Sequence, residues 1–192
     1  MEMQIDDRQL IARVLAGSMK DYGVLLRRHV VRVHGFVGRM VTNAEDAEEL
    51  TQNVFAKAYA HLADYDEERS AFVTWLQRIA YHEAIDHLRR SSEERLLSLD
   101  DDDADWQVAD ECMADEPFDD MRTERIELLR KAVLTLPKDD QMLLHLRYND
   151  GKTLADIGFI LDRQPDYLAT RLQRIRKRLH KLIKQMEYHE KE

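Results

Sequence analysis

Basic side chains recur at a helical spacing near the end of the chain. Residues 166–186 hold seven Lys and Arg residues against a single Asp. Arg171, Arg174, Arg178 and Lys181 follow one another at steps of three and four, so an α-helix would place them on one face. A row of guanidinium and ammonium groups suits non-covalent binding and not catalysis, because these groups hydrogen-bond well to phosphate oxygens. The pattern therefore indicates binding to a nucleic-acid backbone.

The residues around this basic row have the pattern of a helix-turn-helix. Thr153 can cap a first helix that ends near Leu161, and residues 162–164 can form the turn. Pro165 suits the first position of the second helix, where its missing N–H costs nothing. The second helix has a regular apolar seam, made of Leu168, Leu172, Ile175, Leu179 and Leu182.

Position along the second helix predicts what each polar residue contacts. Recognition helices place their N-terminal half in the major groove, while more peripheral cations meet the backbone. We expect base-edge contacts from Thr170, Gln173 and Arg174. We expect phosphate contacts from Arg171, Lys177, Arg178 and Lys181. A solvated basic helix in a bundle or coiled coil is the alternative, but the capped first helix, the tight turn and Pro165 favour DNA.

Composition favours a helical protein without a membrane segment. The chain has 192 residues, 44% of them hydrophobic and 35% charged, with six Gly and three Pro. No apolar segment approaches eighteen residues, and the polar start MEMQIDDRQL is unlike a secretory signal. Cys112 is the single cysteine, and no Cys/His cluster has zinc spacing. We expect no membrane insertion, no metal, no cofactor and a cytoplasmic location.

Charge is distributed unevenly along the chain, and this divides it into parts. The net charge is −9 overall, −11 over residues 91–125 and +4 over residues 126–192. Few apolar residues and no sustained periodicity occur between 91 and 120, which is typical of a mobile linker. We therefore predict an all-α protein in which two small helical domains are joined by an acidic flexible linker. The domains are 1–92 and 121–192, the linker is 93–120, and the second domain contains the helix-turn-helix.

Capping residues and apolar spacing predict where the helices begin and which faces they bury. Asp6 or Asp7, Ser18, Asn43 and Ser70 are expected caps, and Arg89-Arg90 is the expected end of the helix that Ser70 starts. Gly17 and Pro137 should end the helices before them. Inward positions are predicted to include Leu10, Ile11, Val14 and Leu15 in the first helix, and Met121, Ile126, Leu129, Val133 and Leu136 before Pro137.

Three segments, in order, resemble one protein family. Residues 46–62 (DAEELTQNVFAKAYAHL), 70–90 (SAFVTWLQRIAYHEAIDHLRR) and 136–179 resemble the polymerase-binding helix, the promoter-melting helix and the second domain of extracytoplasmic-function (ECF) sigma factors. The resemblance covers nearly the whole chain, including the length of the linker. It implies a promoter-specificity subunit of bacterial RNA polymerase, with no catalytic chemistry of its own.

The resemblance also implies a role for particular residues. Those matching the polymerase-binding surface are Asp46, Glu49, Leu50, Gln52, Asn53 and Phe55. Those matching the surface that binds the promoter element near −10 are Tyr65, Arg78, Tyr81, His82, His87, Arg89 and Arg90. The basic helix would then read the element near −35. Trp75 offers a stacking ring, but its place on the apolar face favours core packing.

The implied partners are the polymerase core enzyme, promoter DNA and an anti-sigma protein as regulator. Three departures from the family pattern affect promoter preference. His82 stands where the family often has Asn, and Ser91-Ser92-Glu93-Glu94 stands where more basic residues are common. The turn has Asp162 and then Pro165-Asp166-Tyr167, and Ala169 replaces a common basic residue, so the start of the recognition helix is less basic than usual.

Two other classes of function are open to the sequence alone. A conventional helix-turn-helix regulator would bind operator DNA by itself, usually as a dimer, with residues 1–90 as a ligand or dimerisation domain. A helical hydrolase would need a metal or paired buried carboxylates, and the sequence shows neither these nor a P-loop or HExxH motif. His29 and His34 fit helix packing better than metal ligation.

Overall fold

The computed structural model describes the backbone of residues 5–97 and 120–189, and the side chains of residues 5–91 and 126–186. Within these ranges every regular element is a helix, which confirms the all-α fold. The chain divides into two compact units, Met1–Ala109 and Asp110–Glu192. Most of the expected acidic linker, residues 98–119, lies outside the described residues.

Over residues 5–97, the first unit is built from four helices. They are α1 (Asp7–Leu15), α2 (Met19–Val37), α3 (Ala44–Ala60) and α4 (Phe72–Leu97), with a short 3₁₀ turn at Leu62–Asp64. α2, α3 and α4 pack against one another, and α1 packs on α2. Their shared core consists of side chains that are almost fully buried, including Leu25, Val33, Phe36, Val54 and Leu76.

The ends of these helices agree only in part with the sequence. The Asn43 side chain accepts a hydrogen bond from the Glu45 N–H at 2.8 Å, so the cap of α3 is confirmed. Ser18 precedes α2, but its side chain makes no capping hydrogen bond. Ser70 does not cap α4, because its hydroxyl is buried without a hydrogen-bond partner and the helix begins two residues later. Gly17 ends α1 with a φ of +103°, as a glycine there allows.

The part of the second unit that the structure describes, residues 120–189, also contains four helices. They are α5 (Asp120–Leu134), α6 (Lys138–Leu144), α7 (Leu154–Leu161) and α8 (Pro165–His189), and α6 continues into a π-helical turn at His145–Asn149. Pro137 separates α5 from α6, as its missing N–H requires. The long helix α8 packs against α5, α6 and α7.

The helix-turn-helix is confirmed in detail. Thr153 and Asp156 form a reciprocal capping box at the start of α7. Asp162 ends α7 in the left-handed conformation, with a φ of 56° and a ψ of 50°, and Pro165 is the first residue of α8. The seam of α8 is buried at Leu168, Leu172, Ile175 and Leu179 and half-buried at Leu182.

Three further sequence predictions were wrong. α4 continues seven residues beyond Arg90, to Leu97. Leu15 is 55% exposed, because the buried face of α1 is set by Leu10, Ile11 and Val14. In α5 the expected inward residues Ile126 and Leu129 are each 43% exposed. The residues of α5 that are buried instead are Leu128 and Ala132, whereas Leu136, also expected to point inward, is buried as predicted.

Candidate functional site

The polar face of α8 is open to solvent, opposite its buried seam. Exposed side chains on this face are Thr170, Gln173, Arg174, Lys177, Arg178 and Lys181, all expected to contact DNA. The Thr170 hydroxyl donates a hydrogen bond to the Asp166 carbonyl at 3.0 Å, so its orientation is fixed by the helix itself. A row of exposed cations beside a capped turn can bind a polyanion over several helical turns.

Arg171 differs from the other basic residues of α8 because it is held inside the unit. Its Nε donates to Asp140 Oδ1 at 2.6 Å, and its Nη2 lies 3.9 Å from Asp139 Oδ2. A weaker hydrogen bond of 3.4 Å joins its Nη1 to the Tyr167 hydroxyl. Partial burial alone would lower the pKa of Arg171, but the hydrogen bond and charge of Asp140 raise the pKa overall. The guanidinium therefore remains fully charged and already has an anionic partner.

A groove of about 510 Å³ runs along this part of α8. Its walls include Arg174 and Arg178 together with two carboxylates, Asp140 and Asp166. Lys138 lies at the start of α6, two residues before Asp140, and burial lowers its pKa from 10.5 to about 8. The carboxylates of the groove lie near the N-terminal end of α8, which is also the part of the helix with the fewest basic residues.

In the first unit, α4 carries most of the residues expected near the −10 element. His82, Arg89 and Arg90 are exposed, and Arg78 and Tyr81 are half-buried. The rings of Tyr81 and His82 meet edge to face at 5.6 Å. These side chains provide cations and two stacking rings along one helix, which suits single-stranded nucleic acid.

Tyr65 lies in the loop before α4 and is tied into a ring cluster. Its hydroxyl donates to the Ser70 carbonyl at 3.0 Å, and its ring packs 5.3 Å from Phe72 and 5.4 Å from Trp75. Burial, followed by the negative charge of Glu67, raises the pKa of Tyr65. The cluster agrees with the expected packing role of Trp75. Within it, the Tyr65 side chain is half-buried.

The expected polymerase-binding residues of α3 fall into two groups. Glu49, Gln52 and Asn53 are exposed on one side of the helix. Leu50 and Phe55, expected at the same surface, lie in the core with exposures of 3% and 5%. Their spacing places them on the face of α3 that packs against α2 and α4, so they support the surface from beneath.

Asp46 and His87, expected at different interfaces, contact each other. His87 Nε2 on α4 lies 3.2 Å from Asp46 Oδ2 on α3, and both side chains are partly exposed. A second polar contact between the same helices joins Lys57 to Glu83, and the Glu83 side chain is only 10% exposed. The carboxylate side of α3 is thus directly linked to the candidate DNA helix.

An apolar groove between α2 and α3 was missed by sequence reasoning. Met19, Tyr22, Leu26 and Val30 form one wall, and the second wall includes Gln52 and Tyr59 of α3. The Tyr22 hydroxyl donates to the Phe55 carbonyl, its ring packs 4.9 Å from Tyr59, and burial raises its pKa to about 12. The available signal was the width of the apolar stripe on α2, which exceeds what one core contact can cover.

The histidines singled out in the sequence are packing groups. His29 is buried, its Nε2 lies 2.8 Å from Asp7 Oδ2, and its ring meets Phe72 at 5.5 Å. His34 Nδ1 lies 3.3 Å from the Thr51 hydroxyl. Among the described residues, no group of three or more His, Cys, Asp or Glu side chains has a metal-binding arrangement. None of the helices over the described ranges is long and apolar enough to span a membrane.

Comparison with known proteins gives consistent results for sequence and fold. Residues 25–94 match the family model Sigma-70 region 2. The chain is 30% identical over 190 residues to the ECF RNA polymerase sigma-E factor of Haemophilus influenzae, covering 95% of this chain and 98% of that protein. It is 29% identical over 190 residues to the RNA polymerase sigma-H factor of Pseudomonas aeruginosa, covering 95% and 96%.

Two solved structures share the fold at 21% identity. One is the sigma factor RpoE in complex with the anti-sigma factor NepR from Bartonella quintana, with a TM-score of 0.63 over 86% of this chain and 98% of that one. The other is CnrH in complex with the cytosolic domain of CnrY, with a TM-score of 0.61 over 93% and 97%. Because it is 30% identical to the Haemophilus influenzae sigma-E factor over nearly the full length of both, the chain belongs to the ECF family of RNA polymerase sigma factors, the non-catalytic subunits that direct transcription initiation.

Proposed function

We propose how the two units divide this work. Residues 1–92 bind the polymerase core and melt the −10 element, and residues 121–192 read the −35 element. The acidic segment 93–120 joins them, with residues 93–97 extending α4 and Asp120 beginning α5. The observation that carries the proposal is the exposed basic face of α8, placed opposite a buried seam in a capped helix-turn-helix. Such a face can enter the major groove without exposing the core.

The polymerase-binding surface proposed here is the exposed side of α3 together with the neighbouring apolar groove. Glu49, Gln52, Asn53 and the partly exposed Asp46 supply acidic and amide groups. Tyr59 and Met19, at exposures of 44% and 63%, supply apolar area beside them. Polar groups that border an apolar strip are typical of a protein interface, and a basic partner helix would complement the carboxylates.

The −10 element is proposed to bind along α4. His82, Arg89 and Arg90 are accessible for contact, with Arg78 and Tyr81 beside them. Tyr65 lies in the loop before α4, where its ring packs against Trp75. His87 can contact DNA only if it breaks its contact with Asp46. His82 offers a hydrogen-bonding ring at the position where the family often has Asn, so we expect a different base preference there.

An anti-sigma protein is proposed as regulator, and the cytoplasm as location. The support is similarity in fold to two sigma factors whose structures were solved with anti-sigma proteins. The apolar groove between α2 and α3 offers such a regulator the same surface as the polymerase, so the two would compete. The cytoplasm follows from the proposed partners, polymerase and promoter DNA.

The polymerase surface can be tested with Asp46→Arg. Reversing this charge should reduce affinity for the core enzyme at least tenfold, because a basic partner would be repelled. Binding is measured by fluorescence anisotropy of the labelled chain titrated with core polymerase.

The matched control is His87→Ala, which removes the same internal contact but leaves the carboxylate available. This variant should bind the core enzyme at least as tightly as the parent. Equal loss in both variants would show that Asp46 acts only inside the first unit, and unchanged affinity of Asp46→Arg would remove it from the interface.

A further inference from the structure

One cation of the recognition helix has surroundings unlike those of its neighbours. The Arg171 side chain is 26% exposed, and its Asp140 partner on α6 is 13% exposed. The 2.6 Å contact joins residues 31 positions apart, so it fixes α8 against α6 rather than stabilising one helix locally. Arg178, two turns further along the same face, is exposed and is the matched comparison.

The position of this ion pair decides what it can control. Arg171 follows Thr170 directly and lies one turn before Arg174. Both of these neighbours are proposed to contact base edges. Asp140, Thr170, Arg171 and Arg174 all line the same groove. A fixed Arg171 therefore sets the rotation of α8 about its axis at the turn that would enter the major groove.

Moving Arg171 to a phosphate would be unfavourable. It would leave the Asp140 carboxylate largely buried without its cation, and removing one partner of a buried ion pair costs far more than the pair contributes in net terms. Asp139 lies on the same side, at 3.9 Å from the guanidinium, and would repel an approaching phosphate. One additional phosphate contact on an already basic helix would contribute less binding free energy than this cost.

We infer that Arg171 is a positioning residue that stays bound to Asp140 in the promoter complex and sets the rotation of the recognition helix. It acts on base selection through Thr170 and Arg174 and makes no phosphate contact. This inference rests on the proposed function, in which α8 reads the −35 element. It replaces the sequence-based expectation that Arg171 meets the DNA backbone.

The test uses holoenzyme assembled from the full chain and core polymerase. Promoter affinity is measured at several KCl concentrations, on DNA with a matched and with a mismatched −35 element. Arg178→Ala should lower the salt slope by about one, as loss of a phosphate contact does. Arg171→Ala should keep the parent slope and reduce matched-over-mismatched discrimination by about tenfold, in the range of one lost base contact.

Exchange of the two charges separates positioning from simple loss of stability. Arg171→Asp and Asp140→Arg should each lose discrimination, and the double variant should recover it. If the exchanged pair does not fold, Arg171→Met with Asp140→Leu keeps the volume without charge, and it should retain both the slope and the discrimination.

The two possible failures can be told apart. A lower salt slope in Arg171→Ala, equal to that of Arg178→Ala and without rescue by the double variant, would overturn the inference alone. If neither Arg178→Ala nor Arg174→Ala changes binding to the −35 element, the assignment of α8 fails and the inference fails with it.

Discussion

Arg174 and Arg171 lie one turn apart on α8, yet their side chains face different surroundings. Arg174 is exposed on the polar face, whereas Arg171 is half-buried against Asp140. The sequence could place both on one face, because helical spacing depends on the backbone alone. It could not show the pairing, because Asp140 comes from another helix 31 residues earlier.

Arg174 gives the most direct prediction for base reading. Arg174→Ala should weaken promoter binding by about 1–3 kcal/mol on a matched −35 element, because a bidentate contact to a base edge is lost. On a mismatched element the loss should be much smaller. Transcription from the two templates measures the difference, and an equal effect on both would show that Arg174 reads no base.

Lys138 gives a prediction about pH, because burial lowers its pKa from 10.5 to about 8. Between these values the unfolded chain binds more protons at this site than the folded chain does. The free energy of unfolding contributed by Lys138 should therefore rise as the pH increases from 8 to 10.5. Below pH 8 the buried charge destabilises the fold.

Urea unfolding of the parent and of Lys138→Met at pH 7.5, 9 and 10 measures this contribution. The stability of the parent relative to the variant should increase at each step. Other groups titrate alike in both proteins, so their contributions cancel in the difference. A difference that stays constant over this range would show that burial does not lower the pKa of Lys138.

At the scale of elements, helix starts were predicted well where one side chain could accept a hydrogen bond from the free backbone N–H groups of the first turn. Asn43 and Thr153 both cap as expected. Ser18 and Ser70 have the right residue type, but only tertiary packing decides where α2 and α4 begin. For α5 the competing apolar stripes are both regular, and contact with α8 selects the one containing Ala132.

The turn between α7 and α8 depends on close approach of the backbone at Gly158. A Cβ atom there would lie 2.6 Å from the Arg163 carbonyl oxygen, an atom that cannot move without changing the turn. Gly158→Ala should therefore destabilise the protein by about 1–3 kcal/mol, as overpacking does, although alanine is the better helix former.

Gly23→Ala in α2 is the matched control for this turn. Its Cβ would meet only the end of the flexible Arg27 side chain, at 3.5 Å. This variant should be neutral or more stable by up to about 1 kcal/mol. Chemical unfolding compares the two, and equal stabilisation by both alanines would contradict the tight turn.

At the scale of the whole molecule, the sequence was sufficient for the fold class and the family. Periodicity defined the helices, and three motifs in order indicated the family that a relative matched over nearly its full length then confirmed. The surfaces were less predictable, because an apolar stripe looks the same whether it faces a core or a groove. Leu50 and Phe55 were assigned to an interface but are core residues, and the groove beside Tyr22 was not anticipated.

The central claim is that this chain confers promoter specificity on RNA polymerase. The most direct measurement adds the purified chain to core polymerase and maps run-off transcripts from a genomic promoter pool. A sigma subunit should bind the core and produce discrete start sites that the core alone does not, with common sequence elements near −35 and −10. Absence of core binding, together with footprints made by the chain alone, would contradict this claim and indicate a conventional DNA-binding regulator.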